Sequence, residues 1–109
     1  MQHSMKLLQQ PFEDMKNGTK TIEFRLNDEK RRQIQIGDTI TFNLMPELKE
    51  SITVEVLDLY TEPTFKDLFY KYMQDEKEIQ ETLDIVAKIY SKEDEEKYGA
   101  LGIKIKVIN

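Results

Sequence analysis

Asn17-Gly18-Thr19-Lys20-Thr21-Ile22-Glu23-Phe24-Arg25-Leu26-Asn27-Asp28 is the stretch on which the reading of this chain turns. From Thr21 to Leu26 polar and apolar residues alternate, which predicts a β-strand with Thr21, Glu23 and Arg25 on one face and Ile22, Phe24 and Leu26 on the other. The apolar face is expected in the core. Glu23 and Arg25, two apart on the opposite face, sit roughly 6–7 Å from one another, close enough to form an ion pair or to grip one polar ligand together. The same alternation also describes a half-buried antiparallel strand with a solvated face. Asn17-Gly18 reads as a helix C-cap, which puts Lys20 at the mouth of the strand. Lys20 is off-phase with Glu23 and Arg25, so it joins them only where the chain bends at Thr19 or Lys20.

The flanking segments carry ordinary punctuation. Met5-Lys6-Leu7-Leu8 is expected to be a first strand, after a disordered tail of residues 1–4 that includes His3. A short helix opens at Gln9-Gln10-Pro11, with Pro at its first position and Phe12, Met15 and Leu8 on its buried side. Asp28 to Arg32 is a charged turn, followed by Ile34-Gln35-Ile36 as a short strand and Gly37-Asp38 as a turn. Thr39 to Leu44 and Ser51 to Val56 alternate as two antiparallel strands, and the apolar character runs on through Tyr60 to Glu62-Pro63-Thr64. Thr64, with Asp67 three later, caps a helix whose Phe65, Leu68, Phe69, Tyr72 and Met73 form one core face. A second helix carries Ile79, Leu83, Val86 and Tyr90. Ser91 to Asp94 resembles a capping box for a short turn ended by Gly99, and Leu101 to Ile108 is the last strand, with Leu101, Ile103, Ile105 and Val107 inward.

The chain has 109 residues and is expected to form a single domain, 1–109, with one modest core. With no cysteine and one histidine it offers no disulfide, no thiol nucleophile and no histidine metal cluster, so neither a metal nor a cofactor is expected. No apolar run reaches the roughly 18 residues that span a bilayer and no signal-peptide pattern opens the chain, which points to a cytoplasmic protein with no membrane partner. A formal charge of −5 argues against broad phosphate-backbone binding. Positive charge is nevertheless concentrated in Lys20, Arg25, Lys30, Arg31 and Arg32, a basic mouth on an acidic body.

The order of elements suits an α+β fold: a small mixed, mainly antiparallel β-barrel whose terminal strands are neighbours, with helices packed against it. Ile22, Phe24, Leu26, Ile40, Phe42, Val54, Val56, Leu68, Ile103 and Ile105 are expected to share its core. A barrel this small is filled by side chains, so a ligand would sit in a cleft between wall and helix.

Pro11-Phe12, Asn17 to Leu26, Ile36-Gly37-Asp38-Thr39-Ile40 and Tyr98-Gly99-Ala100-Leu101-Gly102-Ile103 together resemble the ASCH domain family over nearly the whole chain. The specific core of that resemblance is Gly18-x-Lys20-x-x-Glu23-x-Arg25. It implies a PUA-like barrel with a cleft lined by Lys20, Glu23 and Arg25, and a role in RNA binding or RNA metabolism. One branch of similar proteins is implied to deacetylate cytidine acetylated on its exocyclic amine with a Lys, a Thr and a Glu. Here the Lys is Lys20, the Thr position falls on Glu23, and the Glu lands near Asp75 or Glu76. A ribonuclease activity also occurs within the family.

Chemistry alone assigns compatible roles. Arg25 offers a fork for a phosphate, a carboxylate or a carbonyl edge, and Glu23 accepts from an exocyclic amine or a ribose hydroxyl. Lys20 is a point charge for phosphate or, if a buried environment frees its lone pair, a base that activates water. Two classes follow: a module binding RNA or a nucleoside-like small molecule through Lys20, Thr21, Glu23 and Arg25, or an amidohydrolase with Lys20 and Glu23 catalytic. A salt-bridge cluster that braces the strand is the structural alternative to both.

Overall fold

A computed structural model describes residues 1–47 and 49–109. Its elements are β1 (Gln2–Leu7), α1 (Gln9–Lys16), β2 (Ile22–Leu26), a 3-10 turn (Arg31–Gln33), β3 (Thr39–Leu44), β4 (Ser51–Glu62), α2 (Phe65–Tyr72), α3 (Glu76–Ile89), α4 (Lys92–Tyr98) and β5 (Ala100–Val107). The strands hydrogen-bond in the order β1-β3-β4-β5-β2. The α+β class and the mixed sheet agree with the sequence reading. The terminal strands are not neighbours, however: β1 pairs in parallel with β3, from Gln2 opposite Thr39 to Leu7 opposite Leu44. A parallel neighbour needs a long crossover, and residues 8–38 provide one.

The chain divides into two compact units, residues 1–23, 34–59 and 103–109 in the first and 24–33 and 60–102 in the second. In the first, β3 and β4 form an antiparallel pair with Ile40 opposite Val54 and Phe42 opposite Ile52, all four buried. Ile103 and Ile105 of β5 and Phe12 and Met15 of α1 are buried in the same unit. Val107, read as inward, is 36% exposed, and Leu8 is 68% exposed because it serves as the α1 N-cap instead of a packing residue. Pro11 falls at the third helical position, still within the first turn, where a missing N–H removes no intrahelical bond.

Residues 1–4, expected as a loose tail, belong to β1. The strand is fastened there by Asp38, whose Oδ2 lies 2.8 Å from His3 Nε2 and whose Oδ1 accepts from the Met1 amine at 3.1 Å. Asp38 also takes the Gln35 N–H at 2.9 Å, while its own N–H donates to the Gln35 carbonyl. The Gly37 N–H goes to Val56 at 2.8 Å. These bonds close a turn and explain why Ile34-Gln35-Ile36 is not a strand: Ile34 is buried, Ile36 is 63% exposed, and the local polar groups are spent on Asp38.

In the second unit the aromatic stripe is core, as its spacing predicts. Phe65, Leu68 and Phe69 of α2 pack with Leu26, Ile79 and Ala100, and Phe24 meets Phe69 edge-on at 4.7 Å. Of the residues expected in the core, Leu26 and Leu68 are buried in this unit and Ile40, Phe42, Val54, Val56, Ile103 and Ile105 in the first, while Ile22 and Phe24 are only half-buried. Thr64 accepts from Asp67, Asp75 from Lys77 and Glu78, and Ser91 from Asp94, so α2, α3 and α4 each start on a side-chain cap. α4 ends at Gly99, with φ 81° and ψ −177°, a combination that is essentially glycine's own. A Cβ there would stand 3.1 Å from the Glu62 carbonyl oxygen, whereas Gly18, at φ 87°, has open space around it.

Two outcomes follow from these contacts. Gly99→Ala is expected to lower stability by roughly 2–3 kcal/mol and Gly18→Ala by about 1 kcal/mol, read from urea midpoints at constant m. Equal losses would refute the close approach at Glu62. Asp38 is held far below its ordinary value of 3.8, first by His3, then by the Gln35 N–H and the Met1 amine. A depressed folded value stabilises above pH 3.8 and loses that stability as pH falls. Urea midpoints of wild type and Asp38→Asn are therefore expected to differ by a constant amount well above about pH 4 and to approach one another progressively as pH falls below it.

Candidate functional site

The bend that would bring Lys20 toward Glu23 is built by the end of α1. The Asn17 N–H still reaches Glu13 at 3.0 Å, Gly18 takes a positive φ, and the Lys20 N–H then turns back to the Asp14 carbonyl at 2.9 Å. Asn17 Oδ1 accepts from the Thr19 N–H at 2.9 Å and from the Thr19 hydroxyl, which tightens the turn. The chain leaves this turn as β2, where the Thr21 carbonyl accepts from Ile105 N–H at 2.9 Å.

Lys20 and Glu23 consequently meet. Lys20 Nζ lies 3.3 Å from Glu23 Oε1 and donates to the Ile22 carbonyl at 2.8 Å. The Glu23 side chain is 7% exposed and that of Lys20 22%. Of the two states open to the strand's polar face, solvated or paired, Glu23 takes the paired one, and it is more buried than Ile22 or Phe24. A carboxylate is tolerated at that depth because an ammonium accompanies it. Thr21 is exposed and precedes the strand, and Arg25 is half-buried two residues beyond Glu23. The motif therefore yields a close Lys20–Glu23 pair, with Thr21 between the two along the chain and Arg25 two residues beyond it.

The basic mouth is not an open cationic patch. Arg31 is bound to Asp28 at 3.1 Å, and Arg32 Nε donates to the Asn27 carbonyl at 2.7 Å while its Nη2 reaches the Tyr98 carbonyl at 3.4 Å. Of that loop's cations Lys30 is the exposed one apart from Arg32's outer surface. Sequence reasoning missed the His3–Asp38 contact, which joins residues 35 positions apart. Asp38 directly after Gly37 was a signal for a turn, but nothing in the pattern names its partner.

Within the second unit a hollow of about 450 Å³ is lined by Phe65, Leu83, Val86 and Tyr90, with Lys66, Lys92 and Glu95 among its polar residues. None of the candidate site residues Lys20, Thr21, Glu23 and Arg25 lines it. Among the described residues no group of three or more His, Cys, Asp or Glu is placed to hold a metal ion, and no helix is long and apolar enough to cross a membrane.

With this geometry in hand, comparison with known proteins is informative. The ASCH domain model matches residues 5–109. The crystal structure of hypothetical protein PH0355 is 34% identical, with a TM-score of 0.83, over 99% of this chain and 100% of that one. The solution structure of protein PF0455 from Pyrococcus furiosus is 32% identical, with a TM-score of 0.77, over 100% of this chain and 99% of that one. The crystal structure of the ZmASCH S128A mutant protein from Zymomonas mobilis shares the fold at 14% identity, with a TM-score of 0.65, over 97% of this chain and 72% of that one. Among proteins of curated function none matches. Matched along almost its whole length by the family model, and similar end to end to two structures that share about a third of its residues, the chain belongs to the ASCH domain family.

Proposed function

We propose that this ASCH domain binds RNA or a nucleoside-like small molecule through the polar edge of a base or sugar, using Lys20 and Glu23, with Thr21 and Arg25 flanking them. The observation that carries this reading is the Glu23 carboxylate, 7% exposed and 3.3 Å from a lysine that remains 22% exposed. Such a pair offers an acceptor for an exocyclic amine or a hydroxyl beside a reachable positive charge. The formal charge of −5 and the engagement of Arg31 and Arg32 within their own loop favour a local contact over tracking along a phosphate backbone.

The hydrolase reading would use Lys20 as a base toward water. Lys20 instead directs its ammonium donors at the Ile22 carbonyl and Glu23, which suits a charge that holds and orients. Geometry therefore favours the binder, and one set of assays separates binder, enzyme and brace.

Glu23→Gln keeps size and most hydrogen bonding. Because Lys20 is within reach of water, the change is expected to cost under about 1 kcal/mol of stability. Nucleoside binding, measured by calorimetry, is expected to weaken by roughly 1.5–3 kcal/mol, about ten- to a hundredfold. A stability loss of several kcal/mol with unchanged binding by the folded fraction would make the pair a brace. Lys20→Met is expected to lower affinity with no turnover to lose. Release of acetate from acetylated cytidine by the wild type, abolished in Lys20→Met while affinity is kept, would make the protein an amidohydrolase instead.

A further inference from the structure

The second half of α3 buries less than its sequence offers. Ile79, near the start of the helix, is fully buried and packs with Phe65, Leu68 and Phe69. Leu83, Val86 and Tyr90 continue the same helical face, at i+4, i+7 and i+11 from it, yet they stay half-buried. Together with Phe65 they line the hollow of about 450 Å³, and the Tyr90 ring lies nearly parallel to that of Phe65, 5.4 Å away with 10° between the planes. Ala87, one turn beyond Leu83, also lines it and fills it with no more than a methyl group. A hollow with aromatic and aliphatic walls and few polar groups has the composition usual for small-molecule sites, whose volumes run from roughly 300 to 1,000 Å³.

The charges of the lining narrow the ligand. Two of its polar side chains are already engaged: Thr64 Oγ1 accepts from the Asp67 N–H at 3.1 Å, and Glu95 Oε2 accepts from the Phe65 N–H at 2.9 Å. Lys66 and Lys92 are not. Both are exposed, and neither ammonium is in an ion pair or a hydrogen bond among the described residues. The lining therefore holds two ammonium groups against one carboxylate, and that carboxylate is spent at the start of α2. A lysine lays its methylene stem along an apolar body while its charged head stays in water, where it can accompany a negative group at the body's end. A cationic ligand would meet two like charges. A polyanion would crowd the acidic first turn of α4, Glu93 to Glu95. The match is a compact apolar body that ends in one negative charge.

We propose that this hollow is a binding site for a small apolar monocarboxylic acid, its body against Phe65, Leu83, Val86 and Tyr90 and its carboxylate beside Lys66 and Lys92. The proposal goes beyond the function argued above, since it uses none of Lys20, Thr21, Glu23 and Arg25.

The test is a titration of methyl-labelled protein followed by NMR at the Leu83, Val86 and Ala87 methyl groups, with three probes of one shape: 3-phenylpropionate, its neutral amide and 3-phenylpropylamine. The acid is expected to move these signals saturably, with a Kd of about 1 mM or below, to bind about two- to fivefold more tightly than the amide, and to exceed the amine by more. Lys66→Gln combined with Lys92→Gln is expected to bring the acid down to the affinity of the amide and to leave the amide unchanged. Ala87 is exposed, so Ala87→Leu fills the hollow without disturbing a buried residue and is expected to weaken all three probes about tenfold or more. Signals that do not saturate by about 10 mM, equal binding of acid and amide, or tighter binding of the amine would each overturn the proposal. So would a response centred on other methyl groups. Should either variant fail to fold, the three wild-type titrations decide alone. Nucleoside binding measured on Ala87→Leu keeps the two readings apart. It is expected to be unchanged, and its loss would make the hollow part of the nucleoside site and overturn the proposal made here, whereas its failure in Glu23→Gln bears only on the function argued above.

Discussion

A carboxylate taken out of water must bring its counter-charge with it, and the local architecture around β2 follows from meeting that condition at Glu23. Its partner is Lys20, three residues earlier and off-phase on any straight strand. The two meet because α1 ends in Asn17-Gly18 and the Lys20 N–H folds back onto the Asp14 carbonyl. The helix terminus, the glycine and the ion pair are thus one device. Removing the bend would take the Lys20 ammonium away from a buried carboxylate, which is costly.

Asp38 shows the same condition met for a different purpose. It too is buried, but three donors converge on it, the Met1 amine, His3 of β1 and the Gln35 N–H. Its function is accordingly mechanical: it replaces a strand at residues 34–36 with a turn and fastens the start of β1. Glu23 has a lysine that water still reaches, and that difference in what surrounds two buried acids separates a candidate contact residue from a clasp.

The arginines of the Asp28–Gln33 loop make the parallel point for cations. Counting charges along the sequence places them together as a patch, yet each is committed by geometry. Arg32 bonds to backbone carbonyls and stitches the loop to the end of α4, while Arg31 is balanced by Asp28. Electrostatic attraction for a polyanion falls when the cations are already partnered, and the acidic formal charge lowers it further.

Local pattern was enough for much of this. The caps at Thr64 and Ser91, the aromatic face of α2, the β3–β4 hairpin and the family motif around Lys20, Glu23 and Arg25 are all legible in the sequence, because each depends on residues within a few positions of one another. Tertiary structure decided the rest. That Glu23 is buried, that β1 begins at Gln2 beside β3, that His3 meets Asp38 and that Arg32 reaches Tyr98 depend on neighbours 35 to 66 residues away or on packing over a strand's second face. Periodicity reports which side of a strand differs from the other. Whether the polar side meets water or protein is set by what the remainder of the chain lays against it, and no local pattern encodes that.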